Sequence, residues 1–213
     1  AGVAAQPSFP TSQDVVMSSS AGTSVDQWGA AAPVRFVVDG HVHFYDCHSL
    51  PAFLDAAVTN LGRLAGAAGM RSVDVMPCLL MTESVRDHAF RRLCDGSLAL
   101  PGHWSLRSRP CSASLRLARE DGAGLYIVAG RQVATAERLE VLAIGCDATV
   151  PDGRPIRETI ASVREAGAYP VIPWGFGKWW GARGRIVRAV LEAESPARLA
   201  LGDNGGRLAL GPD

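Results

Sequence analysis

The chain has 213 residues, and its 21 basic side chains are balanced by 21 acidic ones, so its formal net charge is zero. A neutral chain offers no bulk attraction for nucleic acid or for an anionic membrane surface, and we expect neither partner. Hydrophobic residues make up 47% of the sequence. No apolar run approaches the roughly 20 residues of a membrane-spanning helix. The length is sufficient for one domain with a sizeable core.

Residues 1–33 are rich in alanine, serine, glycine, proline and threonine and show no sustained apolar periodicity. This composition is typical of a flexible segment, because it buries too little apolar surface to offset the entropy of ordering. We therefore expect a flexible leader over residues 1–33 and one α/β domain over residues 34–213.

The first predicted strand carries the main functional motif. Residues 35–38 predict a short buried strand that leads into Asp-Gly-His-Val-His at residues 39–43. Because strand side chains alternate, His41 and His43 should share one face at the carboxyl end of the strand, where two imidazoles are placed to bind one metal ion. With His48, three of the five histidines lie within eight residues. This clustering favours a site over two exposed histidines at a strand end.

The later elements alternate between helical and extended patterns. In chain order we expect a helix from Ser49 to Gly69, a strand over 71–81, a helix from Thr82 to Leu93, short antiparallel strands between Ser114 and Gly145, a helix from Pro155 to Gly167, a strand over 169–174, a helix over 185–193 and a strand over 198–201. Such β-α alternation predicts an α/β fold on a mainly parallel sheet that curls towards a (β/α) barrel.

Five cysteines are scattered along the chain without any C-x-x-C pair. An odd number of isolated cysteines is typical of reduced thiols rather than of disulfides or a structural zinc site, so we expect a cytoplasmic protein. Cys47 lies within the histidine cluster, where both a packed, inert thiol and a metal ligand remain open interpretations.

The Asp-Gly-His-Val-His segment resembles the opening of the polymerase-and-histidinol-phosphatase (PHP) phosphoesterases and, more distantly, of the amidohydrolases. Residues 129–145 and 163–178 resemble the PHP segments that hold a metal-binding glutamate and an Ala-His-Pro motif. The resemblance spans about residues 35–178. It implies a distorted or incomplete (β/α) barrel of the PHP type, in which a metal-activated water hydrolyses a phosphoester.

The chain departs from the PHP pattern at two ligand positions. Gln132 stands where the family has the glutamate, and Trp174 stands where it has the histidine. An amide replaces a bridging carboxylate poorly, an indole cannot bind a metal, and no histidine follows His103. The resemblance therefore implies at most one divalent ion (zinc, manganese or iron). Its expected ligands are His41 and His43, assisted by Asp39, Asp74, His88 or Asp203, with Asp39 alternatively orienting an imidazole.

A glycine-rich, basic segment over residues 175–185 precedes the last predicted helix, and helix N-termini bind anions. We expect a small or phosphorylated substrate to meet Gln132, Trp174, Lys178, Arg183 and Arg185. A purely structural loop is the alternative for this segment. Two functions stay open at this point. One is a metal-dependent hydrolase, and the other is a catalytically degenerate barrel that binds a ligand or a partner protein.

Overall fold

A computed structural model describes residues 34–71, 74–175 and 177–202. The predicted leader and the candidate ligand Asp203 lie outside the described residues. The strands are β1 (Arg35–Val42), β2 (Val75–Met81), β3 (Trp104–Cys111), β4 (Ser114–Arg119), β5 (Gly124–Val128), β6 (Gly130–Ala134), β7 (Glu140–Ile144), β8 (Tyr169–Pro173) and β9 (Ala200–Gly202). The helices are α1 (Leu50–Ala67), α2 (Ala89–Asp95), α3 (Ile156–Glu165) and α4 (Gly181–Ala193). None of these helices is both long and apolar enough to cross a membrane.

The described strands form two mixed sheets. The first has the order β1-β2-β5-β4-β3, in which β1, β2 and β5 are parallel to one another. β4 pairs antiparallel with both of its neighbours, β5 and β3. The second has the order β6-β7-β8-β9, in which only β8 and β9 are parallel.

The predicted (β/α) barrel is therefore wrong, because the described residues form two sheets with four helices and no closed barrel. No helix separates β3 from β4, β5, β6 or β7. Strands joined by short turns pair antiparallel, whereas a barrel needs a helical crossover after each strand. The antiparallel pairing expected between Ser114 and Gly145 is confirmed.

Each sheet packs against its own helices. The first sheet shares a core with α1 and α2, and the second shares a core with α3 and α4. The helix expected from Ser49 is confirmed, since the Ser49 hydroxyl accepts a hydrogen bond from the Ala52 amide and Pro51 lies in the first turn of α1. The most deeply buried side chains include Leu54, Leu125 and Ile127 in the first core and Val141, Val163 and Ile172 in the second.

β1 is half-buried rather than fully buried as predicted. It is an edge strand of the first sheet. Val37 is buried in the core, whereas its neighbours Phe36 and Val38 are exposed on the other face. Because side chains alternate along a strand, only one face of β1 is covered by the core.

The helix predicted to start at Thr82 begins only at Ala89. The Thr82 amide donates to the Val42 carbonyl over 2.8 Å. The Glu83 amide donates to the Gly130 carbonyl over 3.2 Å, and the Glu83 carbonyl accepts from the Gln132 amide over 2.9 Å. These backbone groups are occupied by sheet-type pairing, so they cannot join a helix.

Gly130 lies where the chain leaves the first sheet, since only Ala129 separates β5 from β6. A Cβ atom at Gly130 would overlap the carbonyl oxygens of Met81 and Ala143. Only glycine allows the backbone of β6 to approach the end of β2 this closely.

We expect Gly130→Ala to lower the free energy of unfolding by about 1–3 kcal/mol, because backbone must move to admit the methyl group. Urea unfolding followed by circular dichroism measures the change. Gly62→Ala is the matched control, since its added Cβ meets no atom within 4 Å inside α1. Equal stability of the two variants would contradict the close approach at Gly130.

The five cysteines are free thiols with different environments. Cys78 on β2 is buried, and burial raises the pKa of its thiol to about 11. Cys47 and Cys111 are exposed. Because the thiolate is the reactive form, Cys78 should resist modification.

We expect iodoacetamide at pH 8 to alkylate Cys47 and Cys111 in the native protein and Cys78 only after unfolding. Mass spectrometry of the peptides gives the order of modification. Labelling of Cys78 as fast as that of Cys111 would show that this face of β2 opens in solution.

Candidate metal site

Four side chains meet at the carboxyl end of β1. The Nε2 atoms of His41 and His43 lie 3.2 Å apart. Gln132 Oε1 lies 2.9 Å from Nε2 of His41 and 3.2 Å from Nε2 of His43. The Thr82 hydroxyl lies 3.4 Å from His43 Nε2. The expected meeting of the two imidazoles is confirmed, while their role as ligands stays a prediction.

The separations within this cluster fit the ligands of one metal ion. Ligand atoms at about 2.1 Å from a tetrahedral or octahedral ion lie roughly 3.0–3.4 Å from one another. The triangle formed by the two Nε2 atoms and Gln132 Oε1 has sides of 2.9, 3.2 and 3.2 Å. A point about 2 Å from all three atoms therefore exists just outside their plane.

The contacts among these three atoms depend on which ring nitrogen of each neutral imidazole carries the proton. If both carry their proton on Nε2, Gln132 Oε1 can accept from both, but two N–H groups then face each other across 3.2 Å. If one ring carries it on Nε2 and the other on Nδ1, a single N–H donates to Gln132 Oε1 and the other Nε2 accepts, so no like groups clash. If both carry it on Nδ1, as ligation through Nε2 requires, three lone pairs face one another. The Nδ1 atoms of His41 and His43 are buried and have no hydrogen-bond partner. A cation at the centre converts the three facing lone pairs into favourable contacts.

Neighbouring groups favour a neutral imidazole at His43. Burial lowers the pKa of His43, and the adjacent His41 ring lowers it further, while the Gln132 side chain and the Asp87 and Glu140 carboxylates act in the opposite direction. Metal ligation requires a neutral imidazole. The ring of Tyr45 stacks on His43 with centroids 5.7 Å apart and an angle of 1° between the planes, which restricts rotation of the imidazole.

Gln132 reaches the histidines because β6 pairs with the segment that follows β2. The Gln132 amide is bonded to Glu83, and the preceding residue, Arg131, is buried with 4% of its surface exposed. Gln132 also lines a small cavity with His88 and Asp152, so one of its sides faces open space. That cavity has room for about one water molecule, and neither His41 nor His43 lines it.

Arg131 fixes the loop between β2 and α2. Its Nη1 donates to the carbonyl oxygens of Ser84 (3.2 Å) and Asp87 (2.7 Å). Its Nη2 pairs with the Asp147 carboxylate at 2.9 Å and donates to His88 Nδ1 at 3.1 Å. A guanidinium in this many contacts holds the loop that carries Thr82 against the strand that carries Gln132.

Glu83 is the second charge in this buried network. Its carboxylate is 1% exposed and lies 3.6 Å from the Arg131 guanidinium. Oε1 accepts from the Phe90 amide over 2.8 Å and so supports the start of α2, but Oε2 has no hydrogen-bond partner. Burial is the largest influence on this group, and it raises the pKa of Glu83.

Several predicted ligands lie away from the cluster. Asp39 Oδ1 accepts from the His41 amide over 3.2 Å, which is a local turn contact. Asp74 pairs with Arg71 before the start of β2, at the opposite end of the strand from Thr82. His88 belongs to the Arg131 network, and Cys47 is exposed.

The predicted substrate-binding residues occupy separate positions. Lys178 forms an ion pair with Glu140. Arg183 donates to the Gly177 carbonyl over 2.9 Å, and Arg185 is exposed on α4. Trp174 is half-buried and makes no ring contact with either histidine within the described part of the chain. Trp174 lies two residues after Ile172, so strand alternation puts it on the same face as this core residue. Gln132 lies on the opposite face, together with Leu142 and Val171, which pair with each other.

Thr82 and Glu140 are the residues that sequence reasoning missed. The pattern that predicts a helix from Thr82 conceals that this residue follows β2, which pairs in parallel with β1, and carboxyl ends of parallel strands meet at one edge. Glu140 carried no motif. Its one sequence signal is indirect, since the chain has a single lysine, Lys178, that a half-buried carboxylate could bind.

No protein-family model matches this chain, and no curated protein or solved structure matches it. The resemblance to the PHP phosphoesterases stays a prediction. Among the described residues, no group of three or more histidine, cysteine, aspartate or glutamate side chains is placed to hold a metal ion. The cluster at β1 instead combines two imidazoles with an amide and a hydroxyl.

We expect Glu83→Gln to remove a pH-dependent loss of stability. Because burial raises the folded-state pKa of Glu83 above 4.5, its stabilising contribution is complete below that pH and is lost as the pH rises through the folded pKa. The free energy of unfolding of the wild type, minus that of the variant, should fall as the pH rises from about 4 to about 7.

Urea titrations at each pH measure this difference, in which the other titrating groups cancel. A difference that instead grows with pH would show that the pairing of the Glu83 carboxylate with Arg131 outweighs its burial.

Proposed function

We propose that this chain binds one divalent transition-metal ion between His41, His43 and Gln132 and acts as a metal-dependent hydrolase. The observation that supports the proposal is the convergence of two Nε2 atoms and one Oε1 atom within 3.2 Å of one another. Three protein ligands leave at least one coordination position for water, as in catalytic zinc sites. A bound metal ion supplies a hydroxide near neutral pH by lowering the pKa of that water.

The residues around the cluster suit this role. Tyr45 and the end of β1 hold the imidazoles in place, while the Arg131 network holds Gln132. We propose that a small substrate reaches the ion from the partly exposed side of the two histidines, with a phosphorylated one as our first choice from the PHP resemblance. A cytoplasmic location is part of the proposal, supported by the five free thiols.

A second function is favoured by one observation. Gln132 Oε1 can accept hydrogen bonds from both imidazoles without any ion. In that case the cluster is a structural contact between the two sheets, and the domain binds a ligand or a partner protein without turnover. Metal stoichiometry separates the two functions.

We expect the purified chain to bind one zinc ion, and His41→Ala and His43→Ala each to abolish this binding, since each change removes one of two nitrogen ligands. Gln132→Leu should weaken it, and Gln132→Glu should strengthen it by adding a charged oxygen. Isothermal titration with Zn²⁺ and metal analysis of the protein give affinity and stoichiometry. His48→Ala is the matched control, because His48 is an exposed histidine of the same loop.

Zinc binding that persists in both histidine variants would contradict the site. Binding that depends on both histidines, but without hydrolysis of p-nitrophenyl phosphate or p-nitrophenyl acetate by the zinc-loaded chain, would retain the metal site and favour the binding module over the hydrolase.

A further inference from the structure

A carboxylate lies next to the candidate metal site on the same face of the second sheet. In the pairing of β6 with β7, Gln132 lies opposite Leu142 and Ala134 lies opposite Glu140. Residues directly opposite each other, and residues two apart on a strand, share a face. Gln132 and Glu140 are therefore diagonal neighbours, at a separation of about 7–8 Å between their backbones.

The Glu140 carboxylate is paired with Lys178, the only lysine of the chain. The Lys178 ammonium forms an ion pair with Glu140 Oε1, and the two side chains are 30% and 23% exposed. Within the described residues, Lys178 is the only side chain that hydrogen-bonds to the Glu140 carboxylate. The lysine stem lies against Gly175, where a Cβ atom would come within 2.7 Å of Lys178 Cδ. Glycine at position 175 thus lets the lysine reach β7.

The protein ligands of the proposed ion are all neutral, because two imidazoles and one amide carry no charge. A divalent ion held by such a set keeps its two positive charges, and a nearby carboxylate would stabilise them. Two carboxylates, Asp87 and Glu140, act electrostatically on His43. Asp87 accepts from the Ser84 hydroxyl over 2.6 Å in a local turn, whereas Glu140 is paired with the Lys178 ammonium on the face of Gln132.

We propose that Glu140 is the carboxylate that stabilises the metal ion held by His41 and His43, and that the Lys178 ammonium competes with the ion for it. The inference rests on the proposed metal site and adds a residue and a competitor to it. Ion binding then requires Lys178 to leave Glu140, so the ion pair sets the affinity of the site.

The inference is tested by the zinc affinity of single and double variants. We expect Glu140→Gln to weaken binding about 10- to 100-fold, the range for partners of metal ligands. Lys178→Met should tighten binding, because it frees the carboxylate, and Glu140→Gln with Lys178→Met should bind as weakly as Glu140→Gln alone. Lys178→Arg keeps the ion pair and should bind zinc as the wild type does.

Two controls isolate the effect of charge at this position. Arg188→Met removes an exposed cation of α4, and Glu158→Gln removes an exposed carboxylate of α3; neither should change the affinity. Circular dichroism and urea unfolding confirm that each variant is folded. Glu140→Asp, which keeps the charge, should restore part of the binding lost in Glu140→Gln.

The outcomes separate this inference from the proposed function. Zinc binding that needs both histidines but is unchanged in Glu140→Gln and Lys178→Met overturns the inference and leaves the metal site in place. A double variant that binds as tightly as Lys178→Met also overturns it, since the lysine would then act without Glu140. If neither the wild type nor Lys178→Met binds zinc, both the site and the inference fail.

Discussion

The pairing of the two-residue segment Thr82–Glu83 with two different strands is the constraint on which the candidate site depends. On one side the Thr82 amide is bonded to Val42 at the end of β1, and on the other side Glu83 is bonded through its backbone to Gly130 and Gln132. This segment places side chains from both sheets next to each other. Gln132 meets His43 across 89 residues of chain because of it. Without this double pairing, the imidazoles would end an edge strand and face solvent.

The charges beneath this segment make it rigid. Arg131 is buried against Glu83 and Asp147, and it also donates to two loop carbonyls. A buried charge that loses its partner costs several kcal/mol, so this network has few alternative arrangements of similar free energy. Burial raises the pKa of Glu83, and its Oε2 lies 3.6 Å from Arg131 without accepting a hydrogen bond. What the network does is hold Thr82 and Gln132 in place. Side chains that are already held in place would lose little entropy on binding an ion.

Local sequence patterns predicted the elements far better than their pairing. The strand that ends at the two histidines, the start of α1 at Ser49 and the antiparallel strands after Ser114 all follow from side-chain period, caps and turns, which act within a few residues. The barrel was wrong because alternation of strands and helices does not specify which strands become neighbours, and the strands from β3 to β7 have no helices between them. Thr82 was placed on a helix because its partner, Val42, lies 40 residues away. The PHP resemblance singles out Gln132 because it stands in place of a metal-binding glutamate. Its contact with both imidazoles depends on the register between β6 and the segment after β2, which no local pattern encodes.

The neutral ligand set also bears on which metal ion the site would select. Magnesium, calcium and manganese prefer carboxylate and carbonyl oxygens, whereas imidazole suits zinc and iron. The two carboxylates that act on His43 are both engaged, Asp87 with Ser84 and Glu140 with Lys178. An ion that depends on carboxylates would have to displace both partners before it gained a charged ligand. An ion that binds imidazole strongly gains two ligands at once, with Gln132 as a third, and then has only Lys178 to displace. Of the zinc, manganese and iron expected from the sequence, the proposed site would favour zinc and iron over manganese.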